Sequence, residues 1–119
     1  MALFRFRTRN PERDRETDMS RLQRLHQSLA DIRTEMEREK NGLRDRYEKV
    51  TANAAFSQQT LEDDSAGAVM SLKIDDMTGA MIRYTKRLAL LQAQIDFVTE
   101  IDRKVDTFWQ ANAGDRAVA

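Results

Sequence analysis

Most residues whose type and spacing could support chemistry gather in one short stretch, Lys73 to Arg83. Asp76 is the acid of interest there, because positions three and four apart lie one above the other on a helix. Lys73, Ala80, Arg83 and Arg87 therefore share its face. A carboxylate at Asp76 can engage a partner's cation, and the neighbouring bases can engage its acids. Ala80, four residues on, carries a methyl group that can neither donate to nor accept from a water. Elsewhere the candidates are sparse. His26 is the single histidine, with Gln23 and Gln27 nearby, but nothing pairs with it at metal-ligand spacing. A packing or surface role is its ordinary reading. There is no cysteine, so thiolate metal sites and thiol chemistry are excluded. Phosphate-cradling glycine loops and a recognisable serine hydrolase arrangement are absent. No metal, no cofactor and no firm catalytic residue are expected.

The element that must carry this stretch is a long helix. Met70, Met77, Tyr84, Leu91, Val98 and Val105 recur every seventh residue, and so do Ile74, Met81, Leu88 and Ile95, followed by Asp102 and Trp109. Two apolar rows offset by four and three make one stripe on one helix face, with no proline inside it. This predicts a helix over about 65–110.

Leu22, Leu29, Met36, Leu43 and Val50 repeat in the same way upstream. Their companion row begins as Leu25 and Ile32, fails at Glu39, and resumes one residue later as Tyr47, Ala54 and Leu61. A 3.6-residue helix drifts in this manner against a seven-residue repeat. The spacing predicts a helix over about 11–59, with Asn10 as its cap and Pro11 in its first turn. Glu39, Lys40 and Gly42 mark a weak middle. Between the helices, Glu62, Asp63, Asp64 and Ser65 form a polar break, with Asp64 or Ser65 able to cap the second helix. Asn112 and Gly114 read as stop signals, so residues 113–119 are expected to form a loose tail, as are residues 1–9.

Two long helices joined by a short polar connection fold into an antiparallel hairpin. The predicted fold is all-α, a coiled-coil hairpin over 10–112. Pairing Val50 with Met77, Leu43 with Tyr84, Met36 with Leu91, Leu29 with Val98 and Leu22 with Val105 makes every pair apolar. One seam buries little for so many ordered residues. Met19, Phe56, Leu90, Phe97, Ile101 and Phe108 lie off it and offer a second face. A homodimeric four-helix bundle, or a partner over that face, is the expected completion.

Composition narrows the partners. The chain has 119 residues, 34% of them charged, with 20 basic against 20 acidic. Without a net field it has no general attraction for nucleic acid or anionic lipid. Phe4 and Phe6 alternate with Arg5, Arg7 and Arg9, too short a run to favour either. No apolar run approaches the roughly 18 residues of a membrane span. A cytoplasmic protein is expected, binding neither nucleic acid nor membrane.

The stretch Ile74-Asp75-Asp76-Met77-Thr78-Gly79-Ala80-Met81-Ile82-Arg83 resembles the active-site segment of the CheZ chemotaxis phosphatases. That family carries Asp-Leu-Thr-Gly-Gln followed by an apolar pair and a basic residue, on a long helical hairpin that dimerises into a four-helix bundle. The close match covers about ten residues, Ile74 to Arg83, and the hairpin extends it loosely over Thr17 to Gln110. In the family the Asp engages a lysine of the phosphorylated regulator CheY, and the Gln amide orients the water that attacks the aspartyl phosphate. Asp76 matches the acid; Ala80 stands where the amide should be. The family's separate regulator-tethering helix has no counterpart in Gly114 to Ala119. Among small chemotaxis proteins, the CheT group of alphaproteobacterial operons is nearest in kind.

The resemblance implies a chemotaxis protein that binds a CheY-type response regulator, or another enzyme such as the receptor methyltransferase CheR. Lys73, Asp76, Ala80 and Arg83 would form the docking face, without hydrolysis. Two alternatives stay open: a working phosphatase in which the partner's groups place the water, and a coiled-coil adaptor or export chaperone of flagellar or type III secretion.

Overall fold

The computed structural model describes residues 10–64 and 67–118, and the side chains among them except those of 61–64 and 113–118. These residues form two helices, α1 (Pro11–Asp64) and α2 (Ala68–Val118), and no strand. The start of α1 follows from its cap. Asn10 Oδ1 accepts the Glu12 N–H at 3.0 Å, and the Asn10 carbonyl accepts the Asp14 N–H at 3.0 Å. Glu12 and Asp14 sit in the first turn, where the helix dipole favours acids.

The break lies farther along than the polar cluster predicts. α1 continues past Gln59 to Asp64, because Glu62, Asp63 and Asp64 carry charge but no backbone restriction against helix. What ends the turn is Gly67, with φ +85°, a left-handed conformation that glycine adopts without a Cβ penalty. Its carbonyl accepts the Ser71 N–H at 3.2 Å, so Gly67 itself caps α2, which begins at Ala68 rather than at 65. The expected Ser65 cap and the seam position Leu61 fall outside the residues described in full. At the far end, α2 runs to Val118 rather than stopping near 110. Asn112, read as a stop signal, donates its amide to the Phe108 carbonyl at 2.8 Å and stays inside the helix.

The chain divides into two compact units, Met1–Arg33 with Val98–Ala119, and Thr34–Phe97. In the first, Leu29 is buried, and Leu22, Val98, Val105 and Trp109 are half-buried. Met19, Leu22, Gln23 and His26 of α1 line a cleft with Val105, Asp106 and Trp109 of α2. Leu25 and Ile32, expected on the seam, remain 44% exposed. A single facing helix covers one row of α1, and the row through Leu25 and Ile32 is rotated past the contact.

The second unit holds the hairpin turn. Leu43, Ala54 and Ser57 of α1 are buried with Leu91 and Ile95 of α2, and Leu91 has no exposed surface at all. Met36, Tyr47 and Val50 are half-buried on one helix, and Met70, Ile74, Met77, Met81, Tyr84 and Leu88 on the other. Where the heptad row fails at Glu39, Lys40 turns inward and donates to Gln92, whose amide donates to Asp96 at 2.9 Å. Glu39 lies to the side and takes a forked pair from Arg87, Nε at 2.8 Å and Nη2 at 3.1 Å.

The cross-helix contacts fall on both sides of the predicted register: Glu39 meets Arg87 and His26 meets Asp102 within one position of it, whereas Lys40 meets Gln92 and Thr51 meets Met81 five positions beyond. Predicted pairing sets Thr51 opposite Asp76, yet Thr51 Oγ1 donates to Met81 Sδ at 3.3 Å. Thr51 and Met81 are equidistant in sequence from the turn, and so are Lys40 and Gln92.

Candidate functional site

α2 carries the Asp76 stretch as unbroken helix, near its start. Lys73, Asp76 and Arg83 are exposed, and Ala80 is half-buried. All four occupy one face, as the three- and four-residue spacing requires. Lys73, Asp76 and Arg83 make no ion pair or hydrogen bond among the described residues, so their charges are open to a partner. Thr78 is engaged locally: its Oγ1 donates to the Ile74 carbonyl at 2.9 Å. Gly79 leaves room for its neighbour, since a Cβ there would lie 3.3 Å from Arg83 Nη1. The Arg83 guanidinium thus rests back over Gly79, alongside Ala80.

Arg87, on the edge of the same face, is committed elsewhere. Its forked hydrogen bond to Glu39 holds that carboxyl below the ordinary glutamate value of 4.5, with the guanidinium charge adding and burial opposing. The same bond raises the Arg87 pKa. The pair ties α1 to α2 and occupies the Arg87 guanidinium.

No amide on α2 reaches the position beside Ala80. Gln92 and Gln94 lie ~18 Å or more along the helix at about 1.5 Å per residue, and Gln92 is occupied by Lys40 and Asp96.

Sequence reasoning missed what α1 brings to this face. Asp76 and Arg83 each precede a seam residue of α2 by one, Met77 and Tyr84. Asn53 and Phe56 stand in the same relation to the buried Ala54 and Ser57 of α1. In an antiparallel pair, equal offsets from the seam fall on the same flank. Asn53 and Phe56 therefore lie on the flank of the pair that carries Asp76. Asn53 is exposed and makes no hydrogen bond among the described residues; Phe56 is 72% exposed. The heptad offset could have found both.

His26 is not the isolated side chain expected from spacing. Its Nδ1 lies 2.6 Å from Asp102 Oδ1, within the first unit. Asp102 is the polar residue that interrupts the row of Ile74, Met81, Leu88 and Ile95, and its carboxylate is met there by both His26 and solvent. Among the described residues no group of three or more His, Cys, Asp or Glu could hold a metal ion. Nor is any described helix long and apolar enough to cross a membrane. No protein-family model matches the chain, nor does any curated protein or solved structure.

Proposed function

We propose that this chain is a CheZ-like chemotaxis signalling protein that binds its partner and does not hydrolyse phosphate. The partner is a CheY-type response regulator or, failing that, the receptor methyltransferase CheR, in the cytoplasm. The observation that carries the reading is the pairing of an exposed Asp76, without a partner among the described residues, with Ala80 at the position where an amide would have to orient water. An acid on a helix face can dock a partner's lysine; a methyl group leaves the attacking water unplaced. The CheT group of small chemotaxis proteins is the nearest analogue.

The working unit is a homodimer, two hairpins packed as a four-helix bundle. Leu90 and Phe97 of the second unit are each more than half exposed, apolar surface that a second copy would cover. A working phosphatase is the second reading, favoured by one observation: the Asn53 amide of α1 is exposed on the flank of Asp76 and makes no hydrogen bond among the described residues.

Calorimetric titration against a CheY-type regulator and against CheR tests the proposal. Wild type should bind one of them, and Asp76→Ala should weaken that binding roughly tenfold, about 1.4 kcal/mol. Equal binding by both proteins would reject the assigned face.

A further inference from the structure

The apolar rows of the second unit do not by themselves fix how far α1 sits along α2. Slide the predicted pairing by one heptad and Val50 meets Met70, Leu43 meets Met77 and Met36 meets Tyr84. Every pair is again apolar, because both helices repeat with the same period. Such a slide moves the turn of a hairpin by roughly half a heptad, toward the cluster Glu62, Asp63, Asp64 and Ser65 that precedes Gly67. Polar residues of that kind suit a turn as well as a helix end. Hydrophobic packing alone leaves two alignments open.

What separates the alignments is polar. Lys40 stands where the apolar row of α1 fails, one turn before the buried Leu43, and is itself half-buried. Its ammonium donates to Gln92 Oε1, and the Gln92 amide donates in turn to Asp96 Oδ1 at 2.9 Å. Gln92 follows Leu91, which has no exposed surface, so this chain of bonds borders the driest layer of the unit. After a slide of one heptad Lys40 would face Thr85, with Ala89 in place of the acid one turn farther on. A half-buried ammonium deprived of its acceptors costs more than the bonds contribute when made. That asymmetry lets a polar group in an apolar seam select one alignment.

We propose that the Lys40–Gln92–Asp96 chain is the register lock of the hairpin: it adds little to stability and excludes the neighbouring alignment of the two helices. The lock also governs the Asp76 face. In the slid alignment Glu39 would lie against Ala80 and its forked bond to Arg87 would be lost, setting a second acid beside Asp76. This holds whatever that face binds.

Distances between spin labels test the lock. The chain has no cysteine, so Lys49→Cys and Lys86→Cys, at exposed positions of the second unit, take labels specifically. Labelled protein diluted into unlabelled protein reports the distance within one chain. Wild type should give one narrow distance. Lys40→Leu combined with Gln92→Leu should melt at or above wild type and add a second population, displaced along the helix by about 10 Å. A double variant that keeps the single wild-type distance, whatever its melting temperature, overturns the proposal, and so does a wild type with two populations. If the double variant does not fold, exchange decides, since Lys40→Gln with Gln92→Lys rebuilds the pair with its ends reversed. One distance at the wild-type position then supports the lock, and two overturn it.

Discussion

His26 Nδ1 approaches Asp102 Oδ1 to 2.6 Å, joining the two helices of the first unit through the one position where the α2 seam row turns polar. Both side chains keep contact with solvent, His26 at 59% and Asp102 at 31%. A pair of that kind contributes modestly, ~0.2–1 kcal/mol. A double-mutant cycle of His26→Ala and Asp102→Ala should return a coupling energy within that range. Strict additivity would mean that the contact contributes nothing to holding the unit together.

Leu91 tests where the core lies. Among the described residues it is the one large side chain with no exposed surface, so Leu91→Ala should cost ~2–5 kcal/mol. Leu72→Ala, at a site 64% exposed on the same helix, should stay within about 0.5 kcal/mol. Urea unfolding of the two variants measures both. Similar losses at the two positions would refute the seam as described.

The Glu39–Arg87 pair makes stability depend on acid pH with a definite sign. The folded-state pKa of Glu39 is lowered, so its contribution is fully present above the ordinary value of 4.5 and is lost as pH falls through the lowered value. Glu39→Gln should therefore melt below wild type at neutral pH, and the gap should close on acidification below that range. A gap that holds constant through the acid range would remove the pair from the account.

Much of this fold is legible in the sequence because a seven-residue repeat reports a helix face directly. The rows from Met70 and Ile74 end up buried or half-buried throughout. What misled was punctuation. Glu62, Asp63 and Asp64 look like a break, yet polarity alone does not stop a helix, and the chain turned where Gly67 could take a positive φ. Asn112 was misleading for a related reason, because its side chain can satisfy a backbone carbonyl without leaving the helix. Lys73, Asp76, Ala80 and Arg83 were legible from spacing within one helix. Asn53 and Phe56 were not, since their relation to Asp76 exists only across the pair.

Self-association is the next expectation. Phe97 is 66% exposed and Phe108 59% exposed, so the chain at micromolar concentration should sediment as a dimer, with a melting temperature that falls on dilution. The double variant Phe97→Ser, Phe108→Ser should sediment as a monomer and lose the concentration dependence. A wild type that is monomeric and equally stable at every dilution would leave the hairpin to stand alone.

The central claim is that the Asp76 face binds a phosphorylated regulator but lacks the amide that would discharge it. Dephosphorylation of a CheY-type regulator, followed with wild type, Ala80→Gln and Asn53→Ala side by side, tests it most directly. Wild type should bind and leave the phosphate lifetime unchanged, Asn53→Ala should behave identically, and Ala80→Gln should shorten that lifetime measurably. Rapid loss of phosphate with wild type, abolished by Asn53→Ala, would contradict the claim and identify α1 as the source of the catalytic amide.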